Sequence, residues 1–259
     1  MPDASDHETK GQIPTNLRLL LILEEVARAG VPVSPSTLSD VLGLPKPTIH
    51  RLLVTAEEEG FLQRDIDGRS YGPGRRLRRL AGNTLSSQRL RTERLAIMQA
   101  LENELGETCN LAAPGRYGMV YLDRVETHWP LRIQLPVGTQ VPFHCTASGK
   151  MYLSSLRTDK LKRVLTWLKL EPSTKKSITD VDTLLDELAL TRSRGFSTDN
   201  EEFMEGMVAV AVPIRDTEGR LLTTLSIHAP RQRYDLQTLI KMVPQVQEAA
   251  ERLETLSRL

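Results

Sequence analysis

The chain has 259 residues, 39% apolar and 26% charged, with 34 Lys and Arg against 33 Asp and Glu. A net charge of +1 excludes a polybasic carpet for nucleic acid, though not a local basic patch, and no apolar run approaches the length of a membrane span. Two cysteines, Cys109 and Cys145, make no disulfide framework, so one large or two modest domains in a reducing cytoplasm are expected.

Residues 1–14 are polar, lack the basic-then-apolar plan of a secretion signal, and read as a disordered tail. From Thr15 a broad apolar stripe predicts a helix, with Leu17, Leu20, Leu21, Leu23 and Val26, ending at Gly30 and Pro32. Its leucines point in several directions, more than a three-helix domain needs, which predicts burial by a second subunit. A second short helix is announced by Ser34, Pro35 and Ser36, either serine being able to cap it, and stops at Gly43. A third begins after Leu44, carries Pro45 and Pro47 where a missing N–H is harmless, and stops at Gly60. Extended pieces at 61–64 and 69–71 flank Asp67-Gly68, a hairpin signal. Three short helices and a hairpin over 15–74 make the plan of a winged helix-turn-helix.

On the third helix Ile49, Leu52, Leu53 and Ala56 share the face that packs inward, leaving Lys46, Pro47, His50, Arg51 and Val54 outside. That outer face suits a DNA groove. Arginine can bond both acceptors of a guanine edge, while Lys46 and the helix N-terminus favour phosphate. Arg64 and Arg69 lie near the hairpin tip, where a wing reaches the backbone or minor groove. The alternative is a solvated face on a protein-interaction winged helix.

An arginine-rich stretch follows: Arg75, Arg76, Arg78, Arg79, Arg89, Arg91 and Arg94. Without a Gly/Ser linker, residues 75–90 are expected to form a stiff helical connection to a second domain over 91–259. There, 108–113, 119–125 and 131–135 read as strands, and 147–156, 159–168 and a segment from Asp180 to Gly195 as helices. Strands at 207–214 and 221–228 make a hairpin, and a last helix from Asp235 is kinked or broken at Pro244. Strands bounded by helices at both ends indicate an α+β domain.

Several segments together resemble the IclR family of bacterial transcriptional regulators. These are NLRLLLILEEVARAG, LSDVLGLPKPTIHRLLVTAEEEGFLQRD and GRSYGPGRRL, then VPFHCTASGKMYLSSL, GFSTDNEEFMEGMVAVAVPIRDTEG and LLTTLSIHAP, in order from about Asn16 to the C-terminus. The resemblance implies a DNA-binding domain whose contact set is Ser34, Ser36, Lys46, Pro47, Thr48, His50, Arg51, Arg64 and Arg69. It also implies a GAF-like C-terminal domain that binds a small effector, often a carboxylate or aromatic metabolite, in a cup. By motif, the effector residues fall on Ala147, Ser148, Asp199, Ala209, Ser226 and His228. Three depart from the family pattern for glyoxylate or pyruvate: Ala147 replaces a Gly, Ala209 a Cys and His228 a Ser. The imidazole would add a titratable donor, so the effector is expected to differ from glyoxylate. The partners implied are a pseudo-palindromic double-stranded operator, the effector, and further copies of the chain as a homodimer or homotetramer. No cofactor, metal or membrane is implied, and repression and activation suit the sequence equally.

A hydrolase using Ser148 or Cys145 is the enzymatic alternative. Thr-Ala-Ser-Gly-Lys lacks the first Gly of a nucleophile elbow, and His144-Cys145 has no second pair at metal spacing. No catalytic residue is therefore expected. Asp199, Glu201 and Glu202 equally suit an acidic capping turn, and Ser226 and His228 ordinary strand positions.

Overall fold

The computed structural model describes residues 13–85, 88–132 and 134–256. Most of the expected tail, Ser86 and Ser87 of the expected connection, Ile133 and the last three residues lie outside this set. The chain divides into two compact units, Met1–Leu85 and Ser86–Leu259.

The first unit carries α1 (Thr15–Ala29), α2 (Pro35–Leu42), α3 (Lys46–Glu58), β1 (Leu62–Arg64), β2 (Tyr71–Pro73) and α4 (Arg75–Leu85). Gly43 ends α2 in the left-handed conformation, φ 63°, which a side chain would resist. Ser34, not Ser36, is the cap of α2: its Oγ accepts from Thr37 N–H at 3.2 Å. Ile22 and Val26 of α1, Leu38 of α2 and Ile49, Leu53 and Ala56 of α3 close one core with Leu62 and Tyr71. The wing's second strand starts two residues later than expected. Asp67 accepts from the N–H groups of both Arg69 and Ser70 at 2.8 Å, holding them in the turn rather than the ladder. Val33 bridges Tyr71 and extends the wing. Residues 75–85 of the expected connection pack on this unit, through Leu77 on its core and Arg76, which pairs with Glu59 and stacks over Phe61.

The second unit runs α5 (Gln88–Leu105), β3 (Thr108–Pro114), β4 (Met119–Val125), β5 (Gln140–Val141), α6 (Ala147–Ser155), α7 (Thr158–Trp167) and α8 (Val181–Arg194). It continues with β6 (Ser197–Asn200), β7 (Met207–Arg215), β8 (Leu221–Pro230), α9 (Leu236–Lys241) and α10 (Val243–Leu256). One antiparallel sheet has the order β5-β4-β3-β8-β7-β6. Alternation gives it two chemically different faces. Cys109, Leu111, Val208, Val210, Val212, Leu225 and Ile227 form the apolar face, covered by α5 and α10. The opposite face lies under α6, whose Ala147 and Met151 pack on Ala209 and Ala211.

Two expectations need correction, and one strand was not anticipated. Residues 131–135 are not a strand among those described: the free edge of β4 is taken instead by 138–141, with Gly138 N–H donating to Tyr121 O and Tyr121 N–H to Thr139 O. The last helix breaks at Met242 rather than Pro244, which sits in the first turn of α10 where no N–H is needed. Strand β6 is short and polar, so it shows no alternation of its own and is held by pairing with β7. No helix among the described residues is long and apolar enough to cross a membrane.

Candidate functional site

Two regions concentrate the expected site residues, one in each unit. On α3, burial of Ile49, Leu53 and Ala56 turns Lys46, Pro47, His50 and Arg51 outward into solvent, with Thr48 and Val54 half-buried at the margins. Ser36 is exposed at the start of α2, and Ser34 is half-buried, with its hydroxyl used for capping. The wing arginines differ. Arg69 is exposed near the tip, whereas Arg64 folds back on the protein: its Nε donates to Glu57 Oε1 at 2.9 Å and its guanidinium lies 4.9 Å from the Tyr71 ring centre. Arg64 thus braces the wing against α3.

In the second unit the ladder register sets the polar face. Asn110 pairs with Ser226, Ser226 with Ala211 and Ala211 with Ser197, forming one cross-strand row. The next row is Thr108, His228, Ala209 and Asp199. Directly opposed residues share a face, so Ser226, His228, Ala209 and Asp199 face the same side, beneath α6, whose Ala147 packs there and whose Ser148 is buried. All six residues of the expected effector set are buried. Ser226 Oγ lies 3.0 Å from His228 Nε2, and the imidazole meets Tyr121 edge-on with ring centres 6.2 Å apart. Asp199 Oδ1 accepts from Glu202 and Phe203 N–H at 2.8 and 3.4 Å, while Oδ2 is buried without a partner, as is Ser148 Oγ. Ser148 carries no hydrogen-bonded base, and burial pushes the Cys145 thiol up to about 11; neither arrangement activates a nucleophile.

A buried ion pair shapes the acidic end. Lys150 of α6, 1% exposed, donates to both oxygens of Glu202 at 2.5 and 2.7 Å and lies 3.7 Å from Glu187 of α8. The intervening Glu201 adopts a left-handed φ of 63°, and Thr174 and Ser177 donate to the Glu201 and Glu202 carbonyls. Sequence reasoning missed Asn110, Tyr121 and Arg124, which the register brings to the same face. The signal available was the alternation in β3, where Thr108, Asn110 and Ala112 interleave with Cys109 and Leu111.

Electrostatics corrects one expectation. Burial, with the Arg124 charge adding to it, depresses His228 to about 3, so the imidazole is neutral at physiological pH and does not titrate near 7. The group that does is Asp199, raised to about 7 by burial and the neighbouring Glu202. Glu202, Lys150, Tyr121 and Cys145 are the titratable groups coupled to it. Because its folded value exceeds its unfolded one, the stability tied to Asp199 is complete below its ordinary range near 3.8 and is lost as pH rises through about 7. His228 has the opposite sign: its contribution is present above its ordinary value of 6.5 and is lost as pH falls toward about 3. Asp199→Asn keeps the Oδ1 cap and cannot ionise. It should be more stable than the parent by roughly 1–2 kcal/mol at about pH 8, with no advantage at about pH 4, as urea melts will show. The His228 ring protons should hold constant NMR shifts from about pH 5.5 to 8.

Family models match two stretches: residues 17–65 fit the IclR helix-turn-helix domain and residues 82–255 the bacterial transcriptional regulator IclR C-terminal domain. The chain is 38% identical over 237 residues to the probable transcriptional regulator SauR of Cupriavidus necator, covering 92% of this chain and 94% of that one. Among solved structures it resembles the Thermotoga maritima IclR, at TM-score 0.62 and 27% identity over 94% of this chain and 98% of that one. It also resembles an IclR homologue from Microbacterium hydrocarbonoxydans complexed with 4-hydroxybenzoate, at TM-score 0.60 and 26% identity over 95% and 99% of the two chains.

Proposed function

The chain belongs to the IclR family of bacterial transcriptional regulators, and we propose that it reads its operator through the outer face of α3 and answers an organic acid or aromatic metabolite held on the polar sheet face under α6. The observation that carries the first half is the segregation on α3, where Lys46, His50 and Arg51 are exposed opposite a closed apolar core. In this reading Arg51 contacts base edges, with Pro47, Thr48 and His50 beside it. Lys46, Ser34, Ser36 and Arg69 contact phosphate, and Arg64 positions the wing.

One short helix reads too few base pairs for useful specificity, so the operator is a pseudo-palindrome bound by a homodimer, with a homotetramer as the larger assembly. Leu17 and Leu20, exposed on α1, are the apolar surface offered to a second copy. Residues 15–74 act as the DNA-reading domain and 91–259 as the effector domain. The stretch 75–90 is the route by which the effector changes the spacing of recognition helices. The setting is the cytoplasm, and no catalytic step is assigned.

The second half is supported by Asp199, Ala209, Ser226 and His228 sharing one buried sheet face under Ala147 of α6, with Ser148 next in that helix, and by the 4-hydroxybenzoate held by the Microbacterium homologue. The test is a gel-retardation series on the chain's own promoter. Arg51→Ala should cost roughly 1–3 kcal/mol on the specific site and relax sequence preference, while Lys46→Ala weakens specific and random DNA alike. Equal loss on both DNAs for Arg51→Ala would remove it from base reading.

A further inference from the structure

Glu107, between α5 and β3, is fully buried, yet neither of its carboxyl oxygens has a hydrogen-bond partner. Its counter-charge is Arg233, from the turn after β8. Arg233 Nη1 lies 2.9 Å from Glu107 Oε1, but that Nη1 is itself buried outside hydrogen-bond geometry. The rest of the guanidinium holds a different piece of chain. Its Nη2 donates to the Leu131 carbonyl at 2.7 Å, and the group lies 5.0 Å from the centre of the Trp129 ring.

Residues 127–132 thereby form a strap across the corner between α5 and β3. Thr127 anchors one end: its Oγ1 donates to the Gly106 carbonyl at 2.6 Å and its N–H to Thr108 Oγ1 at 3.2 Å. Arg132 braces the other, with Nε donating to Glu126 Oε2 at 2.9 Å. Between these points Trp129 and Leu131 are 56% and 59% exposed. Packing holds such residues weakly, which leaves Arg233 as the clasp. Leu131 and Arg132 also line a cavity of about 320 Å³, completed by Met204, Gly206, Met207 and Pro230.

A neutral carboxyl tolerates a dry site far better than an ionised one, which needs donors at its oxygens. Among the described residues no donor reaches either oxygen of Glu107 in hydrogen-bond geometry. Ionised Glu107 is therefore satisfied by water admitted past Arg233 and Trp129. We propose that Glu107 is a proton-operated latch on this strap: protonated, it lets Arg233 and Trp129 close over it, and ionised, it draws water into the corner and loosens the Leu131 wall of the cavity.

Burial raises Glu107 to about 7, opposed by the Arg233 charge and the nearby Thr108 N–H and reinforced by Glu102 of α5. The other titratable groups at this corner are Cys109 of β3, whose thiol burial pushes far above its usual range, and His128 of the strap, 3.9 Å from Glu102. The closed corner holds the Glu107 proton more tightly than water does. Closure is thus favoured fully below the ordinary value of 4.5 and is lost as pH rises through about 7.

The test is acrylamide quenching of Trp129 fluorescence in the full-length Trp167→Phe protein, which leaves Trp129 as the one tryptophan, from about pH 5.5 to 8.5. The quenching constant should rise roughly twofold with pH, in a one-proton step with its midpoint at about 7. Glu107→Gln keeps the shape but cannot ionise, and should hold the low, closed value throughout. Arg233→Ala removes the clasp and should give the high value throughout. His128→Gln and Asp199→Asn remove an imidazole beside Trp129 and the carboxyl of the polar face, and each should leave the step in place. A flat or falling profile in the parent, a step that survives Glu107→Gln, or one abolished by His128→Gln or Asp199→Asn overturns the proposal. So does an Arg233→Ala profile that follows the parent's. Melting curves accompany every variant, and the parent profile with the two controls and Arg233→Ala decides the matter even where Glu107→Gln does not fold.

Discussion

Glu202→Ala should destabilise the second unit by roughly 3–5 kcal/mol, the loss expected when one partner of a buried ion pair is removed. Lys150 is 1% exposed, and its close contacts are the two Glu202 oxygens, with Glu187 a longer 3.7 Å away. Without Glu202 the ammonium faces Glu187, which is already committed to Arg194 at 2.9 Å. Both tryptophans of the chain, Trp129 and Trp167, lie in the second unit. Tryptophan fluorescence in urea therefore reports this unit's unfolding without contribution from the winged helix. The double variant Lys150→Met with Glu202→Leu removes both charges and should recover stability to within about 1 kcal/mol of the parent. If Glu202→Ala alone melts like the parent, the pair is dispensable and Lys150 is solvated by other means.

Gly149→Ala should cost roughly 3 kcal/mol or more and abolish effector binding before it touches DNA binding. A Cβ on Gly149 would lie 2.5 Å from Phe143 Cα and 2.6 Å from Phe143 C, and closer still to the carbonyl oxygen. These are backbone atoms, which cannot swing aside as a side chain can. Gly149 N–H also donates to Thr146 Oγ1 at 3.0 Å, the cap that starts α6. Displacing this turn moves Ser148 and Lys150 together. Retardation of operator DNA by the folded winged helix, combined with a second-unit fluorescence transition moved to clearly lower urea, is the expected pattern; a transition at the parent's urea midpoint would contradict it.

Most of the winged helix was legible because its signals are local. Caps at Ser34 and Gly43, prolines confined to the first turn of α3 and an Asp-Gly turn each specify a boundary within a few residues. In the second unit the long apolar strands were readable for the same reason. Strand β6 was not, because a polar tetrapeptide becomes a strand only when β7 offers it a ladder. The edge beside β4 was misread because Leu131 and Leu135 look like strand residues, whereas the pairing is made by the glycine turn at 138–141.

The polar face shows the same division. Ser226 and His228 two residues apart announced a shared side, and the resemblance supplied Ala147, Ser148, Asp199 and Ala209. Alternation in β3 could mark Asn110 as a polar-face residue, but setting it beside Arg124 and Ser226 needed the register of three strands, information no single segment contains. The behaviour of His228 was also hidden. Its type suggests a charge change near neutrality, and only its burial moves that change out of the physiological range.

The two-sided sheet has a consequence for how such a regulator diversifies. In β7 the residues Val208, Val210 and Val212 serve the scaffold packed on α5 and α10, while Ala209 and Ala211 between them serve the floor beneath α6. A substitution at one set leaves the other's neighbours in place, since adjacent side chains never share a face. Chemistry and architecture are therefore written on alternate letters of the same strand. A lineage can exchange a floor alanine and so alter the surface beneath α6 without compensating changes in α5 and α10, the helices packed on the other face.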